Sequence, residues 1–256
     1  MGKPILLLRL EGLMQSWGGR SRWDVRDTQP EPTKSGIIGL LGCAFGFERG
    51  DIRLEQLDKA LRFGVRVENA GREFEDYQTI TEYLPTAEGS YKHSGIKTGS
   101  SLSKIREGNF EPSTILSPRS YLEDAAFLVG LEAKTEQDNT WLEQAATAIQ
   151  NPKWTLFLGR KACIPSRPIF DSLTSDYQNL EDALKRYPWQ WEVWNSLIER
   201  NQKRIELNED LLIYLESNQG QYRRQDAIRV SPIRQYDFVS FERHYVQRAE
   251  VQRVPQ

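Results

Sequence analysis

Thr33, Lys34 and Ser35 follow Pro32 and open the run Pro32-Thr33-Lys34-Ser35-Gly36-Ile37-Ile38-Gly39-Leu40-Leu41-Gly42, a polar turn leading into a helix of glycines and apolar residues. At a helix N-terminus, free backbone N–H groups, a cation and two hydroxyls can together grip a phosphate. The glycines predict that this helix presses closely on its neighbours. A second set lies just upstream, where Arg20, Arg22 and Arg26 interleave with Trp17 and Trp23 on one loop. Single-stranded RNA is read in this way, by stacking on rings and guanidinium planes while cations neutralise phosphates. Arg160 and Lys161 form a third set, placed after Gly159 so that their side chains can project from the end of a strand. Each set is also compatible with a core-capping tryptophan and solvated surface charge, so none assigns a function by itself.

Catalytic patterns are sparse. Only two histidines occur, His93 and His244. His93 with Tyr91, Lys92 and Lys97 could supply the base, acid and cation that metal-free RNA cleavage uses, but it reads first as an exposed polar residue on a hairpin. No HExxH, GxSxG or P-loop pattern is present, and the scattered carboxylates offer no scaffold for a two-metal nuclease. No metal or cofactor is expected.

A net charge of −2 argues against a free-standing protein that coats nucleic acid without specificity, since such proteins are usually basic overall. The charge is nevertheless sorted. Tyr91 to Arg106 carries Lys92, Lys97, Lys104 and Arg106 with no acid, and Leu158 to Phe170 carries three cations with no acid, whereas Asp171 to Glu216 holds ten acids against five bases. Basic patches beside an acidic segment allow one face to meet a polyanion. Cys43 and Cys163 lack CxxC spacing and read as buried thiols in a reducing compartment. The N-terminus lacks the length of a signal peptide and no run reaches membrane-spanning length. The expected location is cytoplasmic.

These residues need elements to position them. Ile5 to Leu10 predicts a central strand buried on both faces. Ser35 to Phe47 and Leu54 to Leu61 predict helices, Phe63 to Val67 a strand, and Ala125 to Glu132 another. Thr140 to Gln150 shows helical spacing of Trp141, Leu142, Ala145, Ala146 and Ile149, and Trp154 to Leu158 predicts the following strand. This β-α-β-β-α-β order is the ferredoxin-like arrangement of RNA-recognition modules. Between its halves, the polar, glycine-containing stretch Asp76 to Arg119 predicts a long hairpin excursion. Leu180 to Tyr187 and Trp189 to Glu216 look helical, and Ala227 to Val246 has strand alternation. The predicted class is α+β: a ferredoxin-like (RRM-like) domain over residues 1–170 with an inserted hairpin, and a smaller C-terminal region over 171–256.

Five motifs occur in order: Leu10-Glu11-Gly12-Leu13-Met14-Gln15-Ser16-Trp17-Gly18, Pro32 to Gly42, Asp76-Tyr77-Gln78-Thr79, Arg119-Ser120-Tyr121-Leu122-Glu123-Asp124-Ala125 and Leu158-Gly159-Arg160-Lys161-Ala162-Cys163. Together they resemble the Cas-five (CasD) subunits of type I-E CRISPR Cascade complexes. The resemblance implies a non-catalytic subunit that binds the 5′ handle of crRNA, with a hairpin thumb over about 77–119 pressing on the guide. It implies a backbone subunit and a large subunit as partners, target DNA reached through the assembly, and no membrane. Carried onto this sequence, it makes Gln15, Ser16, Trp17, Lys34, Ser35, Arg119, Arg160 and Lys161 handle-contacting candidates, with Arg20 and Arg22 on the loop and Lys97 and Arg106 on the thumb. Two alternatives stay open: a metal-independent precursor endoribonuclease, as in the related type I-C branch, and a generic single-stranded RNA-binding module. The acidic, Trp-rich stretch Asp171 to Tyr222 is longer than the resemblance implies.

Overall fold

A computed structural model describes residues 2–19, 26–81, 84–85, 91–92, 114–188, 210–230 and 235–251. Strand β1 (Ile5–Glu11) is buried along its whole length, because it runs antiparallel between β8 (Ala126–Ala133) and β9 (Phe170–Thr174). Strand β3 (Leu61–Asn69) pairs with the other edge of β8. The spatial order β9-β1-β8-β3 continues through β10 (Asp210–Glu216), β12 (Gln235–Gln247) and β11 (Tyr222–Arg229) into one seven-stranded antiparallel sheet. A boundary expected at residue 170 therefore falls at the start of an edge strand, and C-terminal strands extend the sheet beyond β3.

The period-2 alternation of the strands sorts side chains onto two faces. On one, Leu6, Leu8, Leu10, Phe63, Val65, Phe127, Val129 and Leu131 form the main core with helices α1 (Lys34–Phe45), α2 (Ile52–Ala60) and α3 (Asn139–Gln150). Helix α3 buries Leu142, Ala145, Ala146 and Ile149, as its spacing predicts. Helix α1 starts at an N-cap, Thr33, whose hydroxyl accepts from the Gly36 amide, and stops at Gly46, where φ is 75°. On the opposite face, Ile5, Leu7 and Leu128 meet α4 (Leu180–Arg186) through Leu180, Ala183 and Leu184. This helix sits over Gly64 and Gly130, which face each other across the ladder. A Cβ on Gly64 would lie 2.6 Å from Leu184 Cδ1, and one on Gly130 2.5 Å from Leu180 Cδ1.

The excursion after β3 leaves the sheet on two paired arms. Strands β4 (Arg72–Thr81) and β7 (Thr114–Glu123) pair over ten positions, from Arg72 opposite Glu123 to Thr81 opposite Thr114. Short strands β5 (Leu84–Pro85) and β6 (Tyr91–Lys92) pair beyond them. The arms bend away where Gly71 and Asp124 take positive φ, 69° and 55°. Beside β7, β2 (Met14–Gln15) adds a third strand.

Three expectations are corrected. Trp154 to Leu158 is not a strand; its place in the order is taken by β9, which returns to pair with β1. The end of the Trp189 to Glu216 stretch, Asp210–Glu216, is a strand rather than helix, since its alternation of Leu211, Ile213 and Leu215 fills the second core. The rest of that stretch, and most of the thumb, lie outside the described residues. Helix α1 presses on its neighbours only in part: a Cβ at Gly42 would meet Leu54, whereas at Gly39 it would meet nothing within 4 Å. Both cysteines are free thiols, Cys163 buried and Cys43 half-buried. Among the described residues no helix is long and apolar enough to cross a membrane.

Because α4 rests on two glycines, a branched side chain in its seat forces the helix outward. Gly64→Val is expected to lower stability by about 1–3 kcal/mol in chemical denaturation. An unchanged midpoint would mean that α4 docks without this close approach.

Candidate nucleic-acid interface

The candidate phosphate grip at α1 is already filled, by the protein itself. Asp226 of β11 is buried, and its carboxylate accepts hydrogen bonds from the Lys34 and Ser35 amides at 2.7 and 2.8 Å and from the Ser35 hydroxyl at 2.6 Å. Arg224 donates to the same carboxylate through Nε at 3.0 Å and pairs with Glu31 at 2.6 Å. A carboxylate on the free N–H groups of a helix N-terminus has the same electrostatic logic as a bound phosphate. The reading of Lys34 and Ser35 as an open phosphate site is therefore corrected.

The Lys34 side chain is only 1% exposed. Its ammonium donates to the Asp58 carbonyl at 2.8 Å and pairs with Glu216 at 3.0 Å and Asp58 at 3.8 Å, joining α1, α2 and β10. Burial pushes Asp58 up from 3.8 to about 6; Lys34 pulls against this and Glu216 adds to it. Burial pushes Glu216 upward as well, but Lys34 and Lys134 outweigh it and hold the carboxyl below its ordinary value.

Gln15, Ser16 and Trp17 are also buried, and their side chains are held by protein partners. Gln15 Nε2 donates to the carbonyls of Leu10 and Ala125 at 3.0 and 2.7 Å, and its Oε1 accepts from the Trp17 indole N–H at 3.1 Å. Trp17 is 1% exposed, with Gly36 against its ring. Its expected stacking on bases is corrected, because the ring closes the core at the head of α1. The Ser16 amide donates to the Leu158 carbonyl, and a Cβ at Gly159, where φ is 96°, would fall 1.8 Å from the Ser16 carbonyl oxygen. Only glycine fits there.

That turn delivers Arg160 to the loop. Its guanidinium donates to the carbonyls of Ser120, Arg26 and Asp27 at 3.0, 2.9 and 3.1 Å and lies 4.7 Å from the centroid of the Tyr121 ring. Arg160 thus ties the loop to β7, and Arg26 bridges to Arg119 in parallel fashion. Arg119 is half-buried opposite Asp76, whereas Lys161 and Arg26 are exposed. Arg20, Arg22, Lys97 and Arg106, with Trp23 and His93, lie outside the described residues.

What these parts enclose is a groove of about 680 Å³. One wall carries Arg26 and Arg160, the floor is α1 at Gly36 and Gly39, and the far wall is the β11–β12 hairpin with Arg224, Gln225 and Tyr236. Arg49 also lines it, and Asp226 is the only acid among the described lining residues. Since that carboxylate is committed to α1 and Arg224, the groove favours an anion. Of the candidates from sequence, Ser16, Trp17, Ser35 and Arg160 border the groove. Arg49, Arg224, Gln225 and Tyr236 were not foreseen, and no local signal in the sequence ties them to residues near 30.

A family profile described as CRISPR-associated protein (Cas5) matches residues 5–249. The chain is 30% identical over 177 residues to the CRISPR system Cascade subunit CasD of Escherichia coli K12, covering 66% of this chain and 70% of that protein. A chain of a solved CRISPR RNA-guided surveillance complex superposes with a TM-score of 0.67 at 27% identity, over 94% of this chain and 89% of that one. A crystal structure of a Cas protein gives a TM-score of 0.64 at 31% identity, over 99% and 100%.

Two outcomes are expected of the buried charges. Asp226→Ala leaves Arg224 and the head of α1 without their shared acceptor and is expected to cost about 3 kcal/mol or more of stability in denaturant titration. For Asp58, the native carboxyl holds its proton more tightly than the unfolded one, so its contribution is full below pH 3.8 and lost as pH rises through about 6. Asp58→Asn is expected to remove that loss, gaining roughly 2–3 kcal/mol on the parent between pH 4 and 7. Parallel stability–pH curves for parent and variant would refute it.

Proposed function

This chain belongs to the Cas5 family of CRISPR-associated proteins, and from that premise we propose that it is a non-catalytic subunit of a CRISPR RNA-guided surveillance complex that holds the 5′ handle of crRNA in its basic groove. The observation that carries this reading is the groove itself, where Arg26, Arg49 and Arg160 line a channel whose one described acid, Asp226, is paired with Arg224. Exposed Lys161 stands beside it on the Arg160 turn. A polyanion entering here releases counterions from its phosphates, and Arg160, already fixed to three carbonyls, loses little freedom on contact.

The finer reading of the fold is ferredoxin-like. The spatial order β9-β1-β8-β3, with α1 and α2 between β1 and β3 in the chain and α3 between β8 and β9, supports it. Residues 1–170 then act as the RNA-binding domain, with a thumb carried by β4 and β7 over about 77–119, and residues 171–256 as a C-terminal region fused to the same sheet. In the assembled cytoplasmic complex the thumb meets the guide beside a backbone subunit. The large subunit docks nearby, and target DNA is reached through the assembly.

Filter binding of the full chain to labelled handle RNA across a salt series tests the reading. Arg26→Ala with Lys161→Ala is expected to weaken binding and to reduce the salt slope by about 0.7 for each phosphate that is no longer neutralised; an unchanged slope removes the groove from the site. On a denaturing gel in EDTA, CRISPR repeat RNA is expected to stay intact. A single metal-independent cut, abolished by His93→Ala, would make the chain a processing nuclease.

A further inference from the structure

The exposed aromatic residues of the β11–β12 hairpin are not explained by the groove's charge. Phe238 is 58% exposed and Tyr236 40% exposed, although the same strand buries Val239 and Phe241. Burying a phenyl ring is strongly favourable, so a phenylalanine left in water on a well-paired strand marks a surface that meets something else. We propose that Tyr236 and Phe238, with Arg223, form a stacking platform for two neighbouring bases of single-stranded RNA.

Three observations fix the chemistry of the occupant. Tyr236 and Phe238 hold alternate positions of β12 and so project to the same side, about 7 Å apart. That spacing suits an extended strand whose bases have unstacked from one another. The Arg223 guanidinium lies 5.2 Å from the Phe238 ring centroid, offering a second flat cationic surface. Finally, Tyr236 and Gln225 line the groove, and Gln225 sits opposite Phe238 across the ladder, so the platform continues the groove wall.

Charge selects RNA over a protein partner. From Tyr222 to Arg248 the chain carries six arginines and three acids. The acids are engaged internally: Asp226 on α1, Asp237 with Arg229 at 2.6 Å, and Glu242 with the Ser217 hydroxyl at 2.6 Å. Arg223 and Arg243 instead lie over the rings of Phe238 and Tyr222. Aromatic rings flanked by cations, with neighbouring carboxylates neutralised, fit the bases and phosphates of a single strand.

The inference rests on the groove reading for the path of the RNA, and its test separates the two. The full chain is titrated by fluorescence anisotropy with handle RNA, and with a series carrying two adjacent abasic sites walked along the strand. Phe238→Ala and Tyr236→Ala are each expected to weaken binding about 5- to 50-fold without changing the salt slope. Phe238→Tyr is expected to keep parental affinity. One abasic RNA is expected to lose the same affinity and to be indifferent to Phe238→Ala. Equal affinity for parent and alanine variants would overturn the platform, as would an equal loss on every RNA of the series, which marks a structural effect. Unchanged RNA affinity with failed copurification of other subunits would assign the face to a protein. If the aromatic variants weaken binding while Arg26→Ala with Lys161→Ala leaves the slope intact, the platform stands and the groove reading falls.

Discussion

The carboxylate of Asp226 at the head of α1 is the contact on which the interface depends. It accepts two backbone N–H groups and a hydroxyl from Lys34 and Ser35 and takes Arg224 as counter-ion, with the carboxylate itself buried. Removing any partner would strand the others in a low-dielectric setting, which is why such a cluster holds as a unit. Its geometric effect is larger than its local one. The hairpin that forms the far wall of the groove comes from the last part of the chain, and this contact holds it against a helix from the first part. Lys34, turned inward to Glu216 and Asp58, makes a second tie between the same regions.

The opposite face of the sheet offers no comparable opening among the described residues. RNA-recognition modules stack bases on an open sheet face. Here that face is closed. Arg9 and Arg66 are buried on it and share Glu68, with Arg9 also reaching Asp171 at 3.1 Å. Arg66 donates further to the carbonyls of Leu184 and Tyr187, fixing the end of α4 over Gly64 and Gly130. These arginines have the composition of a phosphate site, yet both are paired internally, with only the buried Arg66 Nε left without an acceptor. Among the described residues, the basic groove runs along the Gly36–Gly39 face of α1, between the Arg160 turn and the β11–β12 hairpin.

The sequence by itself determined the elements whose signals are local. Thr33 caps α1, the period of α3 places Leu142, Ala145, Ala146 and Ile149 inward, the apolar run Ile5 to Leu8 with Leu10 predicts a β1 buried on both faces, and five ordered motifs point to the family. It also placed Arg160 and Gly159 at a decisive turn. Only the tertiary structure decided what those residues do. Lys34, Ser35, Gln15 and Trp17 have the types expected of RNA contacts, but each found a protein partner first. Trp154 to Leu158 has the apolar content of a strand, yet β9 holds the ladder position beside β1. Asp226 lies 192 residues from the Lys34 amide that it caps, and no local pattern encodes a pairing across that separation. Residue type fixes which interactions a side chain can make; which one it makes depends on the charges and donors that folding brings within about 3 Å.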